Sequence, residues 1–239
     1  MPEAMRLWTE TSFNIVYLVV VWWIVLLMFK RRGHVAATER RTAILFMWAF
    51  FFLGLGDIGH VGFRLVAFAC GGLETSVDLF GARLLIAPMG SLATAVTFTF
   101  FYIIMLMIWK VRFAKKYGFL ALCGFVLAII RFLIMACPEN NWNSLSMRQD
   151  WSIYRNVPLM LMQIIAAVLF LRDALARSDR LFIWIAVMIF VSFACYVPVI
   201  FLQAQVPYIA MLMIPKTIAY LVIAVLALRS LFPKTGQEA

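Results

Sequence analysis

Charged residues are scarce in this sequence. Only 13% of its 239 residues are Asp, Glu, Lys or Arg, and 65% are hydrophobic, whereas a soluble domain carries about 25% charged residues. The apolar residues form blocks of roughly 17 to 28 residues, long enough for helices that cross a hydrocarbon core about 30 Å thick. This composition excludes a water-soluble enzyme, a disordered chain and a DNA-binding module. It predicts a polytopic membrane protein.

Histidine and cysteine are also rare. The chain has two histidines and four cysteines, and neither type occurs at the spacing typical of metal ligands. We therefore expect no metal site. Cys70 and Cys137 fall at the same predicted end of the protein and could form a disulfide, although two free thiols are the favoured interpretation.

Hydropathy predicts an all-α fold, in which seven transmembrane helices form a single bundle over residues 1–239. The predicted spans are 13–29, 43–70, 84–109, 118–137, 155–171, 181–203 and 208–231. The first and fifth spans are the shortest, and Pro158 is expected in the first turn of the fifth, where a missing N–H costs little.

The basic residues are unevenly distributed between the two sides of the membrane. Fourteen of the 21 Lys and Arg residues fall in the first, third and fifth loops and the C-terminal tail, and four fall on the alternate side. The positive-inside rule then predicts an outside N-terminus and a cytoplasmic C-terminus. Attraction to anionic lipid explains the net charge of +10, so we expect the bilayer rather than nucleic acid as a partner. The predicted location is a bacterial plasma (inner) membrane.

Ionisable residues inside predicted spans indicate a functional site, because charges are costly in a bilayer. In the second span, Asp57, His60 and Arg64 are spaced i, i+3, i+7 and share one face. Gly56 beside them allows close approach of another helix. Lys216 in the last span lies about 12 Å from its outer end and Asp57 lies about 9 Å from the same face, at 1.5 Å per residue. We therefore predict an Asp57–Lys216 pair.

Further polar residues fall at the outer surface, in the outer half of the membrane or near its midplane. These are Ser91, Thr94, Arg131, Arg155, Gln163, Tyr196 and Tyr220. The inner half contains little but apolar residues, so the pattern predicts a net-positive pocket that opens outward above an apolar plug. The alternative is that the charges only neutralise one another and fix the packing of the helices.

Three resemblances bear on function. Seven spans and a lysine in the last one resemble microbial rhodopsins, which implies a retinal Schiff base on Lys216; the third span, however, lacks that family's carboxylate and arginine. Leu55-Gly56-Asp57 is similar to a segment of the lysoplasmalogenases, which implies a vinyl-ether lipid substrate. The Gly-Asp-x-x-His and Ile-Pro-Lys-Thr-x-Ala-Tyr stretches look most like bacterial seven-helix membrane proteins of unassigned activity.

Three functions remain open from the sequence. The favoured one is a receptor or carrier whose pocket binds a small anionic or amphipathic ligand through Arg64, Arg131, Arg155 and Lys216. The second is an intramembrane lipid hydrolase, with Asp57 as the acid or base and His60 as its partner. The third is a retinal protein. No other cofactor is expected.

Overall fold

The computed structural model describes residues 3–79, 81–146 and 148–233. Over these residues it contains seven helices that are long and apolar enough to cross a membrane, which confirms the predicted number of spans and a predominantly helical fold. The helices are α1 (Glu3–Arg31), α2 (Arg40–Ala69), α3 (Ile86–Phe113), α4 (Phe119–Ala136), α5 (Gln149–Ala176), α6 (Arg180–Leu202) and α7 (Met213–Leu231).

The helices pack as a closed ring. Each helix contacts its neighbours in sequence, α1 also contacts α7, and α3 contacts α5 across the bundle. The most extensive interface joins α2 and α3. One continuous core of apolar side chains, including Phe46, Phe50, Met105, Phe170 and Phe182, fills the interior.

A β-hairpin connects α2 and α3, and the sequence did not predict it. Strand β1 (Ser76–Leu79) pairs antiparallel with β2 (Ala82–Leu85), and Gly81 in the turn has φ +80°. The third span was expected from residue 84, which lies in β2 instead. Leu84 and Leu85 are apolar, so hydropathy extended the span into residues that the ladder holds as a strand.

Helix α5 is longer than the predicted fifth span. It begins at Gln149 rather than at 155, so Pro158 lies inside the helix and not in its first turn. The polar residues before Pro158 are helical as well, although hydropathy alone reads them as a loop. The seventh span also differs, since a 3-10 helix (Pro207–Leu212) precedes α7.

The end of the bundle that carries the basic loops is clamped by ion pairs; we call it the basic end. Arg112 of α3 pairs with Glu39, which precedes α2, and donates to Asp179, the N-cap of α6, at 2.8 Å. Nearby, Trp109 Nε1 donates to Asp173 Oδ2 at 2.8 Å. These contacts join four helices. The polar residues of the predicted pocket lie in the opposite half of the bundle.

Candidate ligand-binding cavity

A cavity of about 460 Å³ lies in the half of the bundle away from the basic end, and all seven transmembrane segments contribute to its wall. We call it the polar cavity. Ten of the eleven residues that the sequence singled out line it. These ten are Asp57, His60, Arg64, Ser91, Thr94, Arg131, Arg155, Tyr196, Lys216 and Tyr220.

The predicted stripe on α2 forms one side of the polar cavity. Asp57, His60 and Arg64 all line it, because helical spacing puts them on a single face. Asp57 accepts a hydrogen bond from the Tyr17 hydroxyl at 2.8 Å. Asp57 and His60 are half-buried, whereas Arg64 is exposed at the cavity's outer margin. The stripe therefore leads from solvent to a carboxylate that a tyrosine from α1 holds in place.

Lys216 does not form the predicted ion pair with Asp57. The two residues share the polar cavity, but their charged atoms are not within ion-pair distance. The Lys216 ammonium lies instead over the rings of Tyr196, at 4.3 Å from the centroid, and Phe98, at 4.8 Å. The two residues lie at similar depth, as predicted, and so line the same cavity. Equal depth does not fix the distance between them across the bundle. The aromatic faces supply the ammonium with cation–π contacts.

Arg131 of α4 is a buried cation with unsatisfied hydrogen-bond donors. The residue is only 2% exposed, and its Nε and Nη1 atoms have no hydrogen-bond partner in the described part of the chain. Such donors are uncommon in proteins, because each costs free energy when it is removed from water without a partner. A guanidinium in this state has the donors to bind a carboxylate or phosphate oxygen.

Arg155 was expected at the start of the fifth span, but it lies within α5 and is 7% exposed. Its guanidinium lies 4.8 Å from the centroid of the Trp142 ring. The next residue, Asn156, accepts a hydrogen bond from the Tyr196 hydroxyl at 2.9 Å. The earlier start of α5 explains this burial, because it carries both residues a turn or more into the bundle.

The floor of the polar cavity is a buried hydrogen-bonded cluster. Gln163 is the one predicted site residue behind the wall, and its Nε2 donates to the Tyr220 hydroxyl at 3.0 Å. Tyr102 is fully buried and bonds the same Tyr220 hydroxyl. Toward the basic end, the buried side chains are mostly apolar, as Phe46, Phe50 and Phe170 are, and Asp173 is a buried exception. The floor thus lies between the polar cavity and a mostly apolar plug.

A hydrolase would also need a nucleophile, and the hydroxyl side chains of Thr94 and Ser91 on α3 have different surroundings. Thr94 Oγ1 lies 2.9 Å from the carbonyl oxygens of both Gly56 and Gly90, so its proton is committed to the backbone. Ser91 lines the cavity and is half-buried. Over the described residues His60 makes no hydrogen bond to either hydroxyl. The arrangement lacks the nucleophile–base contact that covalent catalysis uses.

Two connections at the end opposite the basic end contact each other. The Asn143 side chain, in the loop between α4 and α5, accepts from Leu85 N at 2.6 Å and donates to Arg83 O at 2.9 Å. Asn143 therefore fastens this loop to the hairpin. In the same loop, Trp142 donates to Met135 O at 2.8 Å and carries the Arg155 guanidinium on its ring. The loop thereby links the hairpin to the cavity wall.

Several wall residues were not predicted from the sequence. Tyr17 and Asn14 of α1 are spaced i, i+3 and face the cavity from the first helix. Polar residues on one face of an otherwise apolar span are the signal that could have identified them. Phe98 gave no such signal, since an aromatic residue in a span is ordinary packing until a cation is found on its face.

Lys216 shares the polar cavity with one carboxylate, Asp57, which accepts a hydrogen bond from Tyr17. A charged imine in a bilayer needs a carboxylate partner, so a retinal Schiff base on Lys216 would depend on Asp57. Across residues 3–79, 81–146 and 148–233, no group of three or more His, Cys, Asp and Glu side chains could hold a metal ion. All four cysteines are free, including Cys70 and Cys137.

Scans against protein-family models, curated proteins and solved structures return no match to this chain.

Proposed function

We propose that the protein is a receptor or carrier whose polar cavity binds a small anionic or amphipathic ligand. The observation that carries this proposal is Arg131: a buried guanidinium on the cavity wall whose Nε and Nη1 have no partner among the described residues. A carboxylate or phosphate oxygen is the group that completes such a donor set.

The charge balance of the wall supports an anion. Arg64, Arg131, Arg155 and Lys216 face the cavity, and Asp57 is the one carboxylate on the described wall. A net-positive, partly enclosed site raises the local concentration of anions. A cationic ligand would have to overcome this repulsion for the sake of a single carboxylate.

The apolar part of the wall supports a ligand with a tail. Leu159, Val199, Ile200, Met213 and Ile214 line the same cavity as the arginines. A volume of about 460 Å³ lies within the usual range for small-molecule pockets, about 300 to 1,000 Å³. An amphipathic anion would place its head on Arg131 and its chain against these side chains.

The predicted orientation would place the polar cavity on the outside. The basic end lies opposite the cavity, and basic loops remain on the cytoplasmic side of a bacterial plasma membrane. The apolar plug below Tyr102 and Tyr220 argues against an open pore. A receptor, or a carrier that changes conformation, agrees better with a cavity that is closed on one side.

The test compares Arg131→Met with Arg148→Met in lipid nanodiscs, with dodecanoate and dodecyltrimethylammonium as probes. We expect wild type to bind dodecanoate in preference to the cation. We expect Arg131→Met to bind dodecanoate at least about tenfold more weakly, because it removes a charged hydrogen bond at a buried site. The same variant should unfold at a higher temperature without ligand, since it removes an unpaired buried charge.

Arg148 is the control, because it is exposed and paired with Asp150 at 2.7 Å. Arg148→Met should leave probe binding unchanged. Equal binding of both probes by wild type would contradict an anion site, and so would full dodecanoate binding by Arg131→Met. A structural charge cluster predicts the opposite stability result, with Arg131→Met less stable than wild type.

A further inference from the structure

We infer that a second site, at the basic end and separate from the polar cavity, binds the phosphate headgroup of an anionic phospholipid. The site is a groove between the end of α1 and the start of α2, with a volume of about 600 Å³. We call it the basic groove. It is lined by Phe29, Lys30, Arg32, Gly33, Arg40, Ile44, Met47 and Trp48.

Among its described lining residues, the part of the basic groove nearest the loop between α1 and α2 carries three cations and no acidic residue. Lys30, Arg32 and Arg40 are exposed, and within the described parts of the chain none of them forms an ion pair with a carboxylate. The carboxylate nearest in sequence, Glu39, is engaged by Arg112. The three positive charges are thus available to an external anion.

The part of the basic groove that lies deeper in the span is apolar, and it begins one helical turn from the cations. Arg40, Ile44, Met47 and Trp48 follow one another at i, i+4, i+7 and i+8 on α2, so they form one face of the helix. Trp48 is exposed and stacks edge-on against Phe29, with centroids 5.9 Å apart. At 1.5 Å per residue this face descends about 12 Å into the span.

This sequence of cations followed by an apolar face matches a phospholipid better than a soluble anion. A phospholipid whose phosphate lies at Arg40 and Lys30 would have its acyl chains beside Ile44 and Trp48. Basic residues at the end of a span attract anionic lipid, and tryptophan is enriched at the headgroup level. A soluble phosphate would use the cations and leave the apolar face without a role.

Native mass spectrometry of the full chain, released from nanodiscs, tests this site. The probes are dioleoylphosphatidylglycerol and dioleoylphosphatidylcholine, and the variant is Lys30→Gln/Arg32→Gln/Arg40→Gln. We expect wild type to retain one phosphatidylglycerol at least about tenfold more tightly than phosphatidylcholine. The triple variant should lose this preference, because each basic residue near an anionic headgroup contributes about fivefold in affinity.

Lys116→Gln/Arg229→Gln is the matched control, since both residues are exposed at the same end and outside the groove. The control should keep the lipid preference of wild type. Equal retention of both lipids by wild type would overturn the proposal, as would an unchanged preference in the triple variant. Displacement of the lipid by glycerol 1-phosphate would assign the groove to soluble phosphates instead. Dodecanoate binding in the polar cavity is measured separately, so failure of one site leaves the other proposal standing.

Discussion

Asp57 is the single carboxylate on the described wall of a cavity that carries four cations. Its replacement by Asn keeps the shape of the side chain and removes one negative charge. We predict that Asp57→Asn binds dodecanoate about threefold to thirtyfold more tightly. A unit charge roughly 8 Å away contributes about 2 kcal/mol at an effective dielectric constant near 20, and solvent in the cavity reduces this. Isothermal titration in nanodiscs measures the change.

Tyr17→Phe is the matched control for this prediction, because it removes the hydrogen bond to Asp57 and keeps the charge. Its affinity for dodecanoate should stay close to that of wild type. A hydrolase would show a different result, in which Asp57→Asn binds a lipid substrate normally and fails to turn it over. Weaker binding of dodecanoate by Asp57→Asn would contradict the charge argument.

At this scale the sequence predicts what depends on local geometry and misses what depends on lateral packing. Asp57 and His60 share a face because the helix repeat is fixed by the backbone. Asp57 and Lys216 share the cavity but form no direct ion pair, because two residues at equal depth can have different nearest neighbours, here Tyr17 for one and Tyr196 for the other. The unsatisfied donors of Arg131 appear only once all surrounding helices are in place.

Helices α2 and α3 pack closely at glycine residues. Gly56, beside Asp57, predicted such a close approach of another helix. A Cβ atom on Gly90 would lie 2.6 Å from the carbonyl oxygen of Gly59 and 2.9 Å from the Cα of His60. These are backbone atoms that cannot rotate away. We predict that Gly90→Ala lowers the free energy of unfolding by about 1 to 3 kcal/mol, the usual cost of overpacking. Thermal unfolding in nanodiscs measures this loss.

Gly90→Ala should also weaken dodecanoate binding, because α2 must move and carries Asp57, His60 and Arg64 with it. The control is Gly118→Ala, where an added Cβ meets no atom within 4 Å. That change should have little effect on stability or binding. If Gly90→Ala were as stable as Gly118→Ala, the close contact between α2 and α3 would not exist in the membrane.

The elements differ in how well hydropathy predicts them. All seven spans are present because each must satisfy its backbone hydrogen bonds within the helix when it lies in lipid. Hydropathy identifies the apolar stretch and not the helix end, so α5 begins before its predicted start and places Arg155 inside the bundle. The hairpin was missed because hydropathy assigns Leu84 and Leu85 to a span, and its contact with Asn143 comes from 58 residues further along the chain from Leu85.

The whole molecule has two dissimilar ends. At the basic end, Arg112 ties α3 to the starts of α2 and α6, and apolar side chains fill the interior. At the other end, all seven transmembrane segments line the polar cavity, and Asn143 fastens the loop between α4 and α5 to the hairpin. A bundle that is closed at one end and polar at the other suits a ligand that arrives from one side of the membrane.

The final prediction is that this ligand-accessible side is the outside. Cys70 follows α2 at the cavity end and is exposed, so in a Cys137→Ser background a membrane-impermeant maleimide should label it in right-side-out vesicles. The counterpart is Lys116→Cys with both Cys70 and Cys137 replaced by Ser, which places an exposed thiol at the basic end. It should react only after the vesicles are permeabilised. The reverse pattern would place the polar cavity in the cytoplasm, and its ligand would then be a cytoplasmic anion.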